Sequence, residues 1–174
     1  MDVASGDRPA VGVALLAVIL LGAGAAAALV LTGRWVAAGV ATAVAAAAVT
    51  VSGRRAKYTE DRRLTFADAA AERTGDAVLL AAVAWATIEE PGTSGAALAA
   101  LVLAYLATYM RAKATGLGFG VRESLIARGV RIGLVVLGLV WRDALGPALW
   151  AASAVSLFSA FREAVEVGRQ REPA

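Results

Sequence analysis

An all-α integral membrane protein with six transmembrane helices and both termini in the cytoplasm is the fold class the sequence predicts. Three observations predict it: a composition too apolar for a soluble surface, a series of apolar runs of membrane-crossing length, and a lopsided distribution of lysine and arginine. Of 174 residues, 59% are hydrophobic and only 18% are charged. A soluble domain of that length needs a far more polar surface. Alanine and glycine dominate, and small residues let helix backbones approach closely in lipid. Strong β-formers are few, which argues against a barrel.

Four runs carry no charge and are long enough, or nearly so, to cross roughly 30 Å of hydrocarbon at about 1.5 Å per residue. They are Pro9 to Gly33, Trp35 to Gly53, Pro91 to Met110 and Ala144 to Phe161. The first is longer than the core of a signal peptide and reads as a retained span. Two further runs, Ala77 to Ile88 and Ile132 to Val140, are too short alone. They become spans only when extended backwards through ionisable residues. The third helix then begins near Thr65 and carries Asp68, Glu72, Arg73 and Asp76, and the fifth begins near Arg122 and carries Arg128 and Arg131. Ionisable groups inside a span usually mark a functional cavity. The alternative is that they snorkel, or sit in water below a short helix.

With six spans, fifteen of the seventeen basic residues fall on one side and only Arg34 and Arg142 on the other. The positive-inside rule then places both termini in the cytoplasm and the Glu89-Glu90-Pro91-Gly92 turn outside. Residues 1–168 are expected to form the six-helix domain, in the cell's inner (plasma) membrane, and 169–174 a short cytoplasmic tail.

The chain has no cysteine and no histidine. That removes thiolate and imidazole chemistry and most zinc sites, leaving carboxylates, basic groups, hydroxyls and a borrowed metal. The basic residues sit at helix ends without interleaved aromatics, so no nucleic-acid face is expected.

Asp68, Glu72 and Asp76 are spaced four apart and drift only about 40° per step on a helix, forming one acidic stripe. Such a stripe can hold a hard divalent cation. Equally, Glu72 and Asp76 can pair with Arg73, Arg62 or Arg55 at a hydrated helix end.

The context of the stripe is specific. Arg55 is followed by eight residues, then Leu64, three residues, Asp68, three residues and Glu72. This spacing resembles the CDP-alcohol phosphatidyltransferase signature, Asp-x2-Asp-Gly-x2-Ala-Arg-x8-Gly-x3-Asp-x3-Asp. Glu72-Arg73-Thr74-Gly75-Asp76-Ala77 resembles the family's continuation. Tyr109-Met110-Arg111-Ala112-Lys113-Ala114-Thr115-Gly116 is similar to the Tyr-x-Lys-Ala-Arg-Ala-Glu-x-x-Gly stretch of bacterial members that make phosphatidylglycerol phosphate or phosphatidylinositol phosphate. Arg128 and Arg131 fall where those members carry Glu-Arg-x-Glu-Arg, with Ala127 and Val130 in place of the acids.

The first half of the signature is replaced. Its first two aspartates align with Ala47 and Thr50, its first glycine with Val51, its alanine with Arg54 and its later glycine with Leu64. The resemblance implies transfer of a phosphatidyl group from a CDP-linked lipid to an alcohol, in phospholipid biosynthesis. In an active member, Asp68 and Asp76 would hold magnesium or manganese, Glu72 would act as base, and Arg55, Arg73, Arg111, Lys113, Arg128 and Arg131 would bind substrate phosphates. An alanine methyl and a threonine hydroxyl cannot supply the lost charge, and phosphoryl transfer depends mainly on positioning and charge stabilisation. Weakened or lost catalysis is therefore expected, with no cofactor if catalysis is gone. The alternatives are a non-catalytic lipid-binding or partner subunit beside an active paralogue, and a small transporter. Membrane lipids are the expected partners, with a homodimer or a heterodimer with a paralogue formed through Gly129-x3-Gly133. Glu60 or Asp61 on the cytoplasmic loop between the second and third spans could replace a lost metal ligand.

Overall fold

The computed structural model describes residues 8–59, 62–121 and 125–170, with the side chains of 8–15, 52–65 and 125 outside that description. Six helices follow in order: α1 (Arg8–Leu31), α2 (Trp35–Thr59), α3 (Arg62–Ala86), α4 (Pro91–Gly116), α5 (Leu125–Val140) and α6 (Leu145–Arg169), with a single 3-10 turn (Arg142–Ala144) leading into α6. No strand occurs among the described residues. The helices run on past the charge-free runs into charged sequence, α2 to Thr59, α4 to Gly116 and α6 to Arg169. The short apolar run after Ala77 is completed through the acidic stripe, as the sequence implied.

Local chemistry sets the helix ends. Pro91 opens α4 at its first turn, where a missing N–H costs nothing and the fixed φ is already helical. Gly33 and Gly118 have φ of 73° and 87°. Each sits just past a helix end. Arg34 N–H reaches the Leu29 carbonyl and Gly33 N–H that of Val30, while Phe119 and Gly118 repeat the pattern on Ala114 and Thr115. These are Schellman caps, in which only a residue free to adopt positive φ fits.

The helices pack as a ring in the order α1, α2, α5, α6, α4, α3, with α3 closing back on α1. One buried cluster takes residues from all six, among them Val30, Ala38, Val83, Ala97, Leu139 and Leu149. Alanine makes up most of the buried apolar side chains, whereas the large apolar ones point out: Leu21, Val36, Trp85, Val102, Ile126 and Phe158, one from each helix, are all more than half exposed. A soluble monomer rarely shows so much apolar surface. Pro91–Gly116 and Arg142–Arg169 are long and apolar enough to cross a membrane by length and composition; Leu16–Leu31 and Trp35–Val51 are shorter apolar stretches.

Opposite ends of the ring are tied differently. At one end Arg142 stacks over the Trp35 ring, 4.6 Å from its centroid, and pairs with Glu90, joining the start of α2 to the turns that follow α3 and α5. At the other, Gln170 exchanges two hydrogen bonds with the Gly120 backbone, fixing the segment after α4 to the end of α6.

Close approach depends on particular glycines. A Cβ at Gly138 would stand 3.0 Å from Leu145 Cα and 3.2 Å from Ala148 Cβ, whereas at Gly129 and Gly133 it would meet nothing within 4 Å. Gly138→Val is therefore expected to lower unfolding stability by roughly 1–3 kcal/mol through overpacking. Gly129→Ala should leave it unchanged or slightly raised. Thermal unfolding of both variants in detergent checks the contrast.

Candidate functional site

Gly75 lets α3 pass close to α1, where an added Cβ would lie 3.1 Å from Ala23 Cβ, and the Tyr105 hydroxyl of α4 donates to the Arg73 carbonyl at 3.0 Å. These contacts seat the charged half of α3 between its neighbours, turned towards α5. Across the ring, Glu72 Oε2 lies 2.8 Å from Arg128 Nη2 and Asp76 Oδ2 lies 3.8 Å from Arg131 Nη2. Arg73 bridges the two acids on its own helix, donating to Glu72 Oε1 at 2.8 Å and to Asp76 Oδ2 at 3.2 Å. Arg128 Nη2 has no aligned hydrogen bond despite its closeness to Glu72.

The network caps a cleft of about 70 Å³ lined from all six helices. Its polar end holds Glu72, Asp76, Arg128 and Arg131, and its body is carbon, with Ile19, Leu79, Leu80 and Val135 among alanines. The lining of α2 is Thr42, Ala45, Ala46 and Val49, and Thr42 spends its proton on the Ala38 carbonyl. Ala47, Thr50 and Val51, aligned with lost signature residues, are exposed on other sides of α2. α2 therefore brings no carboxylate to the cleft.

Asp68, one turn before Glu72, is 8% exposed and its Oδ1 has no hydrogen-bond partner. It does not line the cleft with Glu72 and Asp76. Arg111 points elsewhere: its Nε and Nη2 donate at 3.1 Å and 2.6 Å to Oε1 of Glu163 on α6. Arg128 and Arg131 also border the smaller chamber that holds this pair. Lys113 is exposed beside a shallow apolar groove with Tyr109, Leu117 and Phe119. The Arg55 side chain, Glu60 and Asp61 lie outside the described residues.

Of the residues singled out from sequence, the structure thus unites Glu72, Arg73, Asp76, Arg128 and Arg131 and sets Asp68, Arg111 and Lys113 apart. Glu163 was not foreseen. Its signal was present: it follows Ser156 by seven residues and Ala160 by three, on the small-residue face of α6 that is buried.

No family model matches the sequence, and no curated protein matches it either. Solved structures do. Mycobacterium tuberculosis phosphatidylinositol phosphate synthase with CDP-DAG bound superposes with a TM-score of 0.70, at 21% identity, over 92% of this chain and 92% of that one. The chain has a phosphatidylinositol phosphate synthase fold. The apo form of that synthase gives a TM-score of 0.71 over 89% of both chains, and its complex with manganese and citrate gives 0.70 over 89% of this chain and 82% of that one, both at 21% identity. The resemblance seen around Asp68 and Glu72 is matched by the fold across most of the length.

The synthase was solved with manganese, which makes the fit of a metal to the present residues a chemical question. Hard divalent ions take several oxygen ligands at about 2.0–2.6 Å. Here Glu72 and Asp76 are already opposed by three guanidiniums, Asp68 is off the cleft, and among the described residues no three acids converge. The described donor set does not fit such an ion, and no chemical step is derived through one.

Side-chain exposures of 12% for Glu72 and 19% for Arg128 make their pair mostly desolvated. Removing one partner of a buried pair costs roughly 3–5 kcal/mol, while replacing both with packed apolar groups is often neutral. Glu72→Gln is expected to destabilise towards the lower end of that range, and Glu72→Leu with Arg128→Leu to cost much less. Thermal or denaturant unfolding in detergent measures the difference.

Proposed function

We propose that this chain is a six-span protein of the cell's inner (plasma) membrane, with both termini cytoplasmic, that serves phospholipid biosynthesis. It retains a CDP-alcohol phosphatidyltransferase cleft in which transfer of a phosphatidyl group from a CDP-linked lipid to an alcohol is weakened or lost. The apolar outer surface and the two membrane-length helices support the setting. The fold shared with a synthase solved with CDP-DAG bound supports the lipid class.

One observation carries the loss of transfer. The expected base and one expected metal ligand are spent on groups expected to hold phosphate, Glu72 on Arg73 and Arg128, Asp76 on Arg73 and Arg131. A transferase must hold a CDP-lipid diphosphate with at least two negative charges and stabilise more charge as the bond breaks. The described network has three guanidiniums against two carboxylates, a surplus of a single positive charge. That surplus suits a phosphodiester head group, which bears one negative charge, with its hydrocarbon against Leu79, Leu80 and Val135. Glu72 could still take a proton from a hydroxyl, but a base without a clamped electrophile gains little. A partner subunit for an active paralogue is the second reading, favoured by the open α5 surface at Gly129 and Gly133.

The test uses purified chain in lipid nanodiscs with CDP-diacylglycerol, magnesium or manganese, and a panel of alcohols and their phosphates. CMP release is expected at background. Native mass spectrometry should find a monoanionic phospholipid retained, and its occupancy should fall several-fold in Arg128→Ala with Arg131→Ala. Metal-dependent CMP release abolished by Asp68→Asn would instead establish a working enzyme, with Glu72 as its base.

A further inference from the structure

Behind the cleft, α4, α5 and α6 border the tight chamber that Glu163 fills, leaving only about 10 Å³, room for roughly one water. Three arginines border it, Arg111 from α4 and Arg128 and Arg131 from α5. Its hydroxyls cannot donate inward: Thr108, Ser156 and Ser159 give their protons to the carbonyls of Ala104, Ala152 and Val155 at 2.9 Å, 3.0 Å and 2.9 Å. The donors on the wall are therefore guanidinium N–H groups, the arrangement that receives a phosphate.

A side chain of this protein already stands there. Glu163 is 2% exposed, and both Nε and Nη2 of Arg111 converge on its Oε1, leaving Oε2 buried without a partner. A carboxylate serving structure alone would be expected to use both oxygens, because an unsatisfied charged oxygen is costly to bury. Two donors on one oxygen with the other idle is an imperfect imitation of a phosphate, which offers an oxygen to each N–H. Charge agrees with that reading: Arg128 and Arg131 are paired from the cleft side with Glu72 and Asp76, and Glu163 sets a negative charge against Arg111.

We propose that Glu163 is a tethered anion occupying the seat of a phosphate monoester on Arg111, and that it makes the chamber of this protein refuse phosphate-bearing small molecules. Held by α6 beside its partner, the carboxylate competes at a high effective concentration against any dissolved anion. Withdrawing it removes one negative charge and opens two N–H groups of Arg111 to an incoming oxygen. The inference does not depend on whether the cleft transfers phosphatidyl groups, and CMP release is not its readout.

The experiment measures binding of inorganic phosphate and of glycerol 3-phosphate to the full chain in phosphatidylcholine nanodiscs. A parallel arm uses nanodiscs containing phosphatidic acid, which presents the same monoester from a lipid. The unaltered protein should show no saturable binding of the dissolved anions. Glu163→Ala should bind them roughly tenfold tighter or more, about 1.4 kcal/mol per tenfold, with an unfolding temperature that rises on phosphate addition, and Glu163→Gln, which loses the charge but keeps a side chain in the seat, should gain less. Adding Arg111→Gln should abolish both responses. A gain confined to the phosphatidic acid arm would assign the seat to a lipid head group and overturn the exclusion of soluble esters. Saturable phosphate binding by the unaltered protein, or folded Glu163 variants that gain none, would overturn the proposal. So would variants that fail to fold even when prepared in phosphate, since the seat would then need its carboxylate for structure alone.

Discussion

Two carboxylates on α3 face two guanidiniums on α5 across the interior of a helix ring, and a third guanidinium, Arg73, lies between the acids. Each of these groups would be expensive to bury alone. Their attraction in a low-dielectric interior offsets the lost hydration only because every charge has an opposite neighbour. That requirement ties the register of α3 to that of α5. It also fixes what the cleft below can do: its mouth is nearly neutral and its walls are hydrocarbon.

The rest of the bundle is built to bring those helices together. In lipid there is little hydrophobic drive between helices, so packing rests on dispersion and on close backbone approach. Alanine at most buried positions and glycine at Gly39, Gly75 and Gly138 provide it; at Gly39 an added Cβ would lie 2.7 Å from Val140 Cγ2. The same smallness leaves the central cleft, because alanine faces from α2, α4 and α6 cannot fill the space they surround. Ser94 and Tyr105 of α4, bonded to carbonyls of Ala84 and Arg73, add fixed points between α3 and α4 at one end of the ring and near its middle.

A phosphatidylinositol phosphate synthase fold with a self-paired charged centre shows how separable architecture and chemistry are. The helices meet much as they do in a protein solved with CDP-DAG and with manganese. The side chains at the meeting point, however, pair with one another. From α2 the cleft receives Thr42, Ala45, Ala46 and Val49 and no carboxylate.

The sequence by itself determined the helices. Hydrophobic run length, Pro91, Gly33 and Gly118 are local signals, and local signals survive without neighbours; so do the four-residue steps that align Asp68, Glu72 and Asp76. Two runs too short to span could be completed only through charged residues, which is why the polar faces of α3 and α5 were legible in the chain alone. Partner choice was not legible. Glu72 and Asp68 share a stripe and a residue class, yet one meets Arg128 and the other meets no hydrogen-bond donor on its Oδ1. Arg111 and Arg128 belong to one basic set by sequence, yet Arg111 turns to Glu163, fifty-two residues away. Which charges compensate which is decided by helix rotation and ring order, and those are set by the packing of six helices at once. Only tertiary structure could therefore turn an acidic stripe and a basic set into a closed network.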